Sequence, residues 1–410
     1  MEYVIIGNSI AAVGCIEGIR SCDKEGNITI ISDEKQQCYS RPLISYYLLG
    51  KTKEECMTYR DDSFFTDNKV RQYLGTKVLK INAENKWVET DNIGNIKYDK
   101  LLVATGSRAF IPPMNNLESV QNKFSFMSYD DARQLKKVLT KKSKVLIIGA
   151  GLIGLKCAEG IRNLVASITV VDLAQRVLPV ILDEEGSQRV RSHLEKNGLN
   201  FILGDSVASF APNEATLTSG QKVAFDILVL AVGVRPNTSL VSECGGKVNR
   251  GIVIDDMCKT TLKDVYSAGD CTETMDIASG ATHIIAIFPN ARLQGETAGK
   301  NMAGENETFV QSIPMNATGL FGLHMITAGA YIGDPLEYSS KTGYKKLFTK
   351  DNHLVGFILV GDTIDRAGIY TSLVRNQVDL STINFPLIAE NPQLMAFARK
   401  DRAKKLGGVQ

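Results

Sequence analysis

The chain has 410 residues, of which 44% are apolar and 22% charged, with a formal net charge of +2. That length suits two or three domains with sizeable cores, and the near-neutral balance implies no nucleic-acid partner and no anionic membrane. No apolar run is long enough for a membrane span, and the eight cysteines form no Cys-x-x-Cys pair, so they read as reduced thiols in a cytoplasm, neither a disulfide framework nor a zinc site.

The first segment, Tyr3-Val-Ile-Ile-Gly-Asn-Ser-Ile-Ala-Ala12, predicts a buried strand, a glycine turn and a helix start. Because this apolar run is itself strand one of a fold, it is not read as a signal peptide. Gly7 permits the tight turn. Ser9 and Ala12 stand where a dinucleotide fingerprint carries its second and third glycines, and Ala still allows close helix packing. The next strand, Asn27-Ile-Thr-Ile-Ile31, ends in Ser32-Asp33-Glu34, acids placed for ribose hydroxyls, with the spacing favouring Glu34. A polar stretch then carries Cys38-Tyr-Ser-Arg-Pro-Leu-Ile-Ser-Tyr46. Tyr98-Asp-Lys-Leu-Leu-Val-Ala-Thr-Gly106 predicts another strand and glycine turn, and Ile111-Pro-Pro113 marks a crossover.

The same grammar returns, more completely, in Lys144-Val-Leu-Ile-Ile-Gly-Ala-Gly-Leu-Ile-Gly-Leu-Lys156. Gly149 makes the turn, Gly151 lets the backbone approach a pyrophosphate, and Gly154 lets the helix pack on the strand. The helix N-terminus offers unpaired N–H groups and a positive dipole end to the phosphates. The strand Ser167-Ile-Thr-Val-Val171 delivers Asp172 about 20 residues on, where a carboxylate accepts from a ribose 2′-OH and repels a 2′-phosphate, favouring NADH. Asp226-Ile-Leu-Val-Leu-Ala-Val-Gly233 is a further strand and turn, Val234-Arg-Pro-Asn237 a return linker, and Val265-Tyr-Ser-Ala-Gly-Asp270 a strand that delivers an Asp. After Ser312 come alternating strands such as Lys345–Thr349 and Leu354–Val360, then an amphipathic helix over Ala367–Arg375. The expected fold class is α/β, with two Rossmann-like nucleotide-binding domains and a C-terminal α+β domain. His193, His283, His324 and His353 have no ligand spacing, so no metal site is expected.

Taken together, the paired fingerprints, Ala104-Thr-Gly106, Gly233-Val-Arg-Pro-Asn237, Tyr266-Ser-Ala-Gly-Asp270, Pro289-Asn-Ala-Arg-Leu-Gln-Gly295 and Arg41-Pro42 resemble the FAD-dependent pyridine nucleotide-disulfide oxidoreductase superfamily. Within it the chain is similar to the branch of NADH:rubredoxin reductases and the flavin domain of assimilatory nitrite reductases. The resemblance implies an FAD-binding domain over 1–111 and 236–311, an inserted NAD-binding domain over 112–235, and a C-terminal interface domain over 312–410 through which an oligomer or complex would form. It implies that Gly7, Ser9 and Ala12 frame the FAD pyrophosphate and that Asp33 or Glu34 holds the adenosine ribose. Asp270, after Gly269, bonds the ribityl chain; Arg41 and Pro42 line the flavin; Arg108 reaches the FAD phosphates. Ala104, Thr105, Gly106 and Gly233 belong to the cofactor-binding turns.

Hydride would pass from NADH to flavin N5, and electrons onward to a small iron or iron–sulfur protein of rubredoxin or ferredoxin type. The runner-up is a flavin electron-entry subunit of a larger redox complex, and the third reading an NADH oxidase or peroxidase. Disulfide-reducing relatives carry cysteines beside the flavin, where this chain has Pro42; Cys38 reads as an ordinary thiol, which argues against thiol turnover. Many relatives have a Lys where Tyr46 stands and a Glu where Lys156 stands. The expectation is that Lys156 supplies positive charge to reduced flavin with Tyr46 as its hydrogen-bond partner, and that Phe288 is an aromatic shield. Arg399, Lys400, Arg402, Lys404 and Lys405 form a basic cluster, read as a solvated face or as a dock for an acidic carrier.

Overall fold

The computed structural model describes residues 1–397, so the C-terminal basic cluster lies outside the described residues. The chain divides into two compact units, one formed by Met1–Thr274 with Phe288–Phe309 and the other by Met275–Ile287 with the chain from Val310 onward. The segment Met275–Ile287 thus leaves the continuous 236–311 stretch expected from sequence. Within the second unit its Ile277 N–H donates to Ser312 O (3.1 Å), and Gln377 donates to Ile277 O (3.0 Å).

In chain order the first unit contains β1 (Glu2–Ile6), α1 (Ile10–Cys22), β2 (Asn27–Ser32), α2 (Ile44–Leu48), β3 (Val70–Leu74) and β4 (Lys100–Val103). There follow β5 (Lys123–Phe124), β6 (Lys144–Ile148), α3 (Leu152–Ile161), β7 (Ser167–Asp172), β8 (Leu199–Leu203), β9 (Ile227–Leu230), β10 (Val265–Ser267) and α4 (Phe288–Met302). Two parallel sheets result, in the orders β10-β4-β1-β2-β3 and β8-β7-β6-β9-β5. The apolar runs explain this, since Val4, Ile5, Ile28, Ile30, Leu102, Leu146, Ile147, Val170 and Leu228 are all nearly inaccessible, as strands covered on both faces must be. Each such side chain contributes about 1.5–3 kcal/mol of burial.

Helix α1 lies against α4 through a face of small residues. A Cβ on Gly14 or Gly18 would come 2.3 Å from the carbonyl oxygen of Arg292 or Glu296. In the reverse direction, one on Gly295 or Gly299 would come 2.0 or 2.2 Å from that of Ala11 or Cys15. Two glycines at four-residue spacing on each helix therefore let the backbones touch, and that contact fixes α4 against the start of α1.

The second unit, described by itself, is an antiparallel sheet of β11 (Met315–Leu320), β12 (Leu323–Gly329), β13 (Asp334–Ser339), β14 (Gly343–Lys350) and β15 (His353–Gly361), in the order β11-β12-β15-β14-β13. Helix α5 (Ala367–Arg375) occupies the expected span. Its Tyr370 and Leu373 are fully buried with Leu347, Phe357 and Leu359 of the sheet. Among the described residues no helix is long and apolar enough to cross a membrane.

Candidate functional site

The two sheets repeat one construction at the carboxyl ends of their strands. In the first, Ile6 is in register with Val103, and Val103 with Ser267, so the turns at Gly7, Ala104–Gly106 and Gly269–Asp270 lie side by side. In the second, Ile148 is in register with Val171 and Leu230, which brings Gly149, Asp172 and Ala231–Gly233 together. Ligands of open α/β sheets bind in such a crevice, where the strand order reverses.

Both first glycines are required by geometry. Gly7 has φ +114° and Gly149 φ +116°. A Cβ on either would sit 2.2 Å from a carbonyl oxygen, that of Ala104 or Ala231 respectively. Each N–H donates at 2.8 Å to the end of the next strand, Gly7 to Ile31 O and Gly149 to Val171 O. Gly154 packs its α-carbon on the Gly149 carbonyl, where a Cβ would lie 2.1 Å from the oxygen. Gly151 differs. It has ordinary extended angles (φ −82°, ψ −179°) as the N-cap of α3, and nothing lies within 4 Å of its missing Cβ. The open space, not the backbone, is what its glycine preserves.

The structure fits dinucleotides at both turns. Ser9, the extended N-cap of α1, makes no side-chain capping bond, which leaves the first-turn N–H groups available to phosphate. Among the described residues Asn8 Oδ1, buried beside that turn, has no hydrogen-bond partner. Ala12, fully buried, allows the close packing expected of the third fingerprint position. At the second turn Asp172 accepts from Ala150 N (2.6 Å) and Ala174 N (2.7 Å), which orients the carboxylate and leaves lone pairs for hydroxyl donors.

Asp270 gives the clearest sign. Among the described residues none donates a hydrogen bond to its carboxylate. Burial raises its pKa, and the nearby Arg41 guanidinium only partly opposes this. An under-solvated carboxylate at the crevice is matched by a ligand rich in hydroxyls. The Ala104–Gly106 turn is knitted to Asn237, whose backbone N–H donates to Gly106 O (2.9 Å). The Asn237 side chain donates to Thr105 O (2.9 Å), and Thr105 Oγ1 donates to Asn237 O (2.7 Å). Gly233, at φ +114°, ends the corresponding strand of the second sheet.

Other expected residues sit differently. Glu34 forms an ion pair with Arg41 and accepts from Tyr39 OH (2.8 Å), while Asp33 is exposed. Arg41 also donates to Met127 O (3.2 Å), and Pro42 is exposed in the same short turn. Arg108, expected at the phosphates, donates to Asn237 Oδ1 (2.9 Å). Lys156 and Tyr46 do meet, with the ammonium 4.7 Å from the ring centroid. The contact is to the face of the ring, in place of the expected hydrogen bond. Lys156 is also ion-paired with Glu159, one turn along α3, and both side chains are largely buried. The cation expected beside the flavin is therefore accompanied by a carboxylate that sequence reading missed. Phe288 opens α4 and packs, partly buried, on the first unit's core. Cys38 is 1% exposed, and burial pushes its thiol up to about 12, so it carries negligible thiolate at neutral pH.

Residues 1–295 match the pyridine nucleotide-disulphide oxidoreductase family. The chain is 29% identical, over 95% of both chains, to the epsilon subunit of NADH-dependent phenylglyoxylate dehydrogenase from Aromatoleum evansii. It is 27% identical to rubredoxin-NAD(+) reductase from Pseudomonas putida over 74% of this chain and 80% of that one. At 30% identity it also matches the nitrite reductase [NAD(P)H] of Bacillus subtilis strain 168 over 93% of its own length, and spans about half (48%) of that protein. Its fold is that of the reductase in the covalent putidaredoxin reductase–putidaredoxin complex, with a TM-score of 0.88 at 20% identity and coverage of 100% and 99%. The chain belongs to the pyridine nucleotide-disulphide oxidoreductase family. It is an oxidoreductase whose cofactors are FAD and NADH.

Proposed function

We propose that this chain passes electrons from NADH through FAD to a small iron or iron–sulfur protein of rubredoxin or ferredoxin type, in the cytoplasm. In this reading 1–111 with 236–311, apart from the segment Met275–Ile287, hold FAD, 112–235 hold NADH, and 312–410 form an interface. The α1 N-terminus at Gly7, Ser9 and Ala12 binds the FAD pyrophosphate, and Asp270 orients the ribityl chain. Gly149 and Gly151 bind the NADH pyrophosphate, with Asp172 on the ribose. Bound FAD supplies hydride acceptance and one-electron release, and the protein supplies orientation and electrostatics. Lys156, Tyr46 and Phe288 set the charge and packing around it.

The observation that carries the reading is the state of Cys38. The cysteine nearest Arg41–Pro42 in sequence is sealed from solvent and held protonated, so thiol turnover of the oxidase or peroxidase kind finds no nucleophile in that segment. Direct transfer to a protein acceptor then needs no side-chain thiol. The rubredoxin-NAD(+) reductase relative supports a small carrier as acceptor. A second reading, an electron-entry subunit of a larger complex, is favoured by the relative that matches almost end to end and is itself a dehydrogenase subunit. Anaerobic turnover with NADH and oxidised rubredoxin or ferredoxin tests the first reading, which expects two carrier molecules reduced per NADH consumed. A carrier reduction rate no faster than the uncatalysed mixture, with a partner retained through purification from the native cell, would favour the second.

A further inference from the structure

The helix Tyr129–Val138 buries Ala132 and Leu135 and leaves Arg133, Lys136 and Lys137 exposed. At i, i+3 and i+4 these three cations share one face. Two of them lie on aromatic rings. The Lys136 ammonium is 3.9 Å from the ring centre of Tyr47 in α2, and the Arg133 guanidinium is 5.4 Å from that of Tyr129. The two rings meet edge to face at 5.4 Å, so the helix and α2 present their charges from one packed base. Such contacts hold long side chains in place without neutralising them.

Little negative charge opposes them. Glu54 accepts from Tyr47 OH (3.0 Å) and lies 4.0 Å from Arg133 Nε, and its chain neighbours Lys53 and Glu55 cancel. Among the described residues no carboxylate lies within ion-pair distance of Lys51, Lys136 or Lys137. Lys51 is exposed on the loop after α2, with its ammonium 5.9 Å from the centre of the Tyr46 ring, and Lys156 is 4.7 Å from the same centre. The cationic surface therefore runs from solvent to the Arg41–Tyr46 segment, which the flavin reading puts against the cofactor. Attraction to the carboxyl end of the helix dipole accounts for Lys136 and Lys137 in the last turn, but not for Arg133 in mid-helix or for Lys51 on another element.

We propose, resting on the reading of this chain as a carrier reductase, that the face formed by Lys51, Arg133, Lys136 and Lys137 is where the electron carrier docks, and that it receives an acidic patch of that protein. Carboxylates of the carrier meet ammonium and guanidinium groups that are already in place and still hydrated. Pairs of that kind steer the encounter more than they add affinity. This suits a carrier that must leave after each electron.

The test is the double variant Lys136→Glu with Lys137→Glu, assayed as holoprotein with NADH and whichever of oxidised rubredoxin and ferredoxin the unsubstituted protein reduces faster. At about 0.01 M ionic strength, where the Debye length is about 30 Å, kcat/KM for the carrier is expected to fall about tenfold or more. At about 1 M, where that length is about 3 Å, the variant should agree with the unsubstituted protein within about twofold. Flavin reduction by NADH alone should be unchanged at both. The control pair Lys97→Glu with Lys263→Glu alters net charge equally at exposed positions, Lys263 lying before the amino end of β10, and should lower the carrier kcat/KM by less than about threefold. A carrier kcat/KM within twofold of the unsubstituted protein at low salt would overturn the proposal, as would an equal fall in the control pair or a loss that persists at high salt. If loss of the Lys136–Tyr47 contact unfolds the double variant, Lys137→Glu alone is expected to lower the carrier kcat/KM about threefold at low salt, and no fall overturns the proposal. Failure of the carrier reading itself would look different, since the unsubstituted protein would then reduce neither carrier at any ionic strength.

Discussion

Two glycines two residues apart, Gly149 and Gly151, should respond in opposite ways to the same added methyl. In Gly149→Ala the backbone must hold φ +116°, which costs an L-residue about 1–3 kcal/mol. The new Cβ would also sit 2.2 Å from Ala231 O, a backbone atom that no rotamer change can move. A loss of about 3 kcal/mol or more corresponds to a fall in melting temperature on the order of 5–10 °C. In Gly151→Ala the angles are ordinary and no atom lies within 4 Å, so the fold keeps its stability or gains about 0.4–1 kcal/mol from a less flexible unfolded chain. That methyl instead occupies the space through which a pyrophosphate approaches, and NADH binding should weaken by about 5–30-fold, equivalent to about 1–2 kcal/mol. Calorimetry gives the first quantity. The concentration dependence of flavin reduction by NADH gives the second. A Gly151→Ala protein that binds NADH within twofold of the unsubstituted one, or that melts as early as Gly149→Ala, would refute the assignment of this turn.

Asp270→Asn should speed FAD loss about tenfold while leaving the apoprotein as stable or more so above the ordinary carboxylate range. The folded pKa of Asp270 is raised by burial, so its charged form opposes folding once pH exceeds the unfolded value of about 3.9, and a neutral amide removes that opposition; a less stable apoprotein at pH 7, by thermal melting, would contradict this. Lys156→Glu should leave flavin content unchanged and lower the flavin midpoint potential, and Glu159→Gln should raise it, each by about 30 mV or more, equivalent to about 1.4 kcal/mol for a two-electron couple. Dye-equilibrated redox titration reads both, and unchanged potentials would remove Lys156 from the flavin environment. Cys38→Ser should retain NADH oxidation within twofold, because the thiol is sealed and its pKa lies at about 12; loss of turnover in a steady-state assay would return the oxidase reading.

Both nucleotide folds were legible because their signals are local. An unbroken apolar strand, a glycine at the turn and an acid at the next strand end are all written within a few dozen residues, and the register of the sheets then follows. Helix α5 was legible for the same reason, its apolar period ending at Arg375. What escaped depended on how side chains pair once the chain is folded. Glu34, expected at a ribose, also pairs with Arg41 and accepts from Tyr39, two neighbours that sequence reading did not assign to it. Lys156 looked like an unopposed cation, yet Glu159 lies three residues on, a helical spacing that could have been read in advance. The glycine pairs Gly14/Gly18 and Gly295/Gly299 were likewise readable as small-residue faces, though only the fold shows that they face each other.

The most direct test of the central claim is anaerobic stopped-flow mixing of the holoprotein with NADH, followed by oxidised rubredoxin or ferredoxin. The account predicts rapid bleaching of the flavin absorbance by NADH, then its fast return with matching reduction of the carrier. Bleaching that neither carrier reverses would contradict the proposed acceptor and favour the subunit reading, and failure of NADH to bleach the flavin at all would contradict the account at its root.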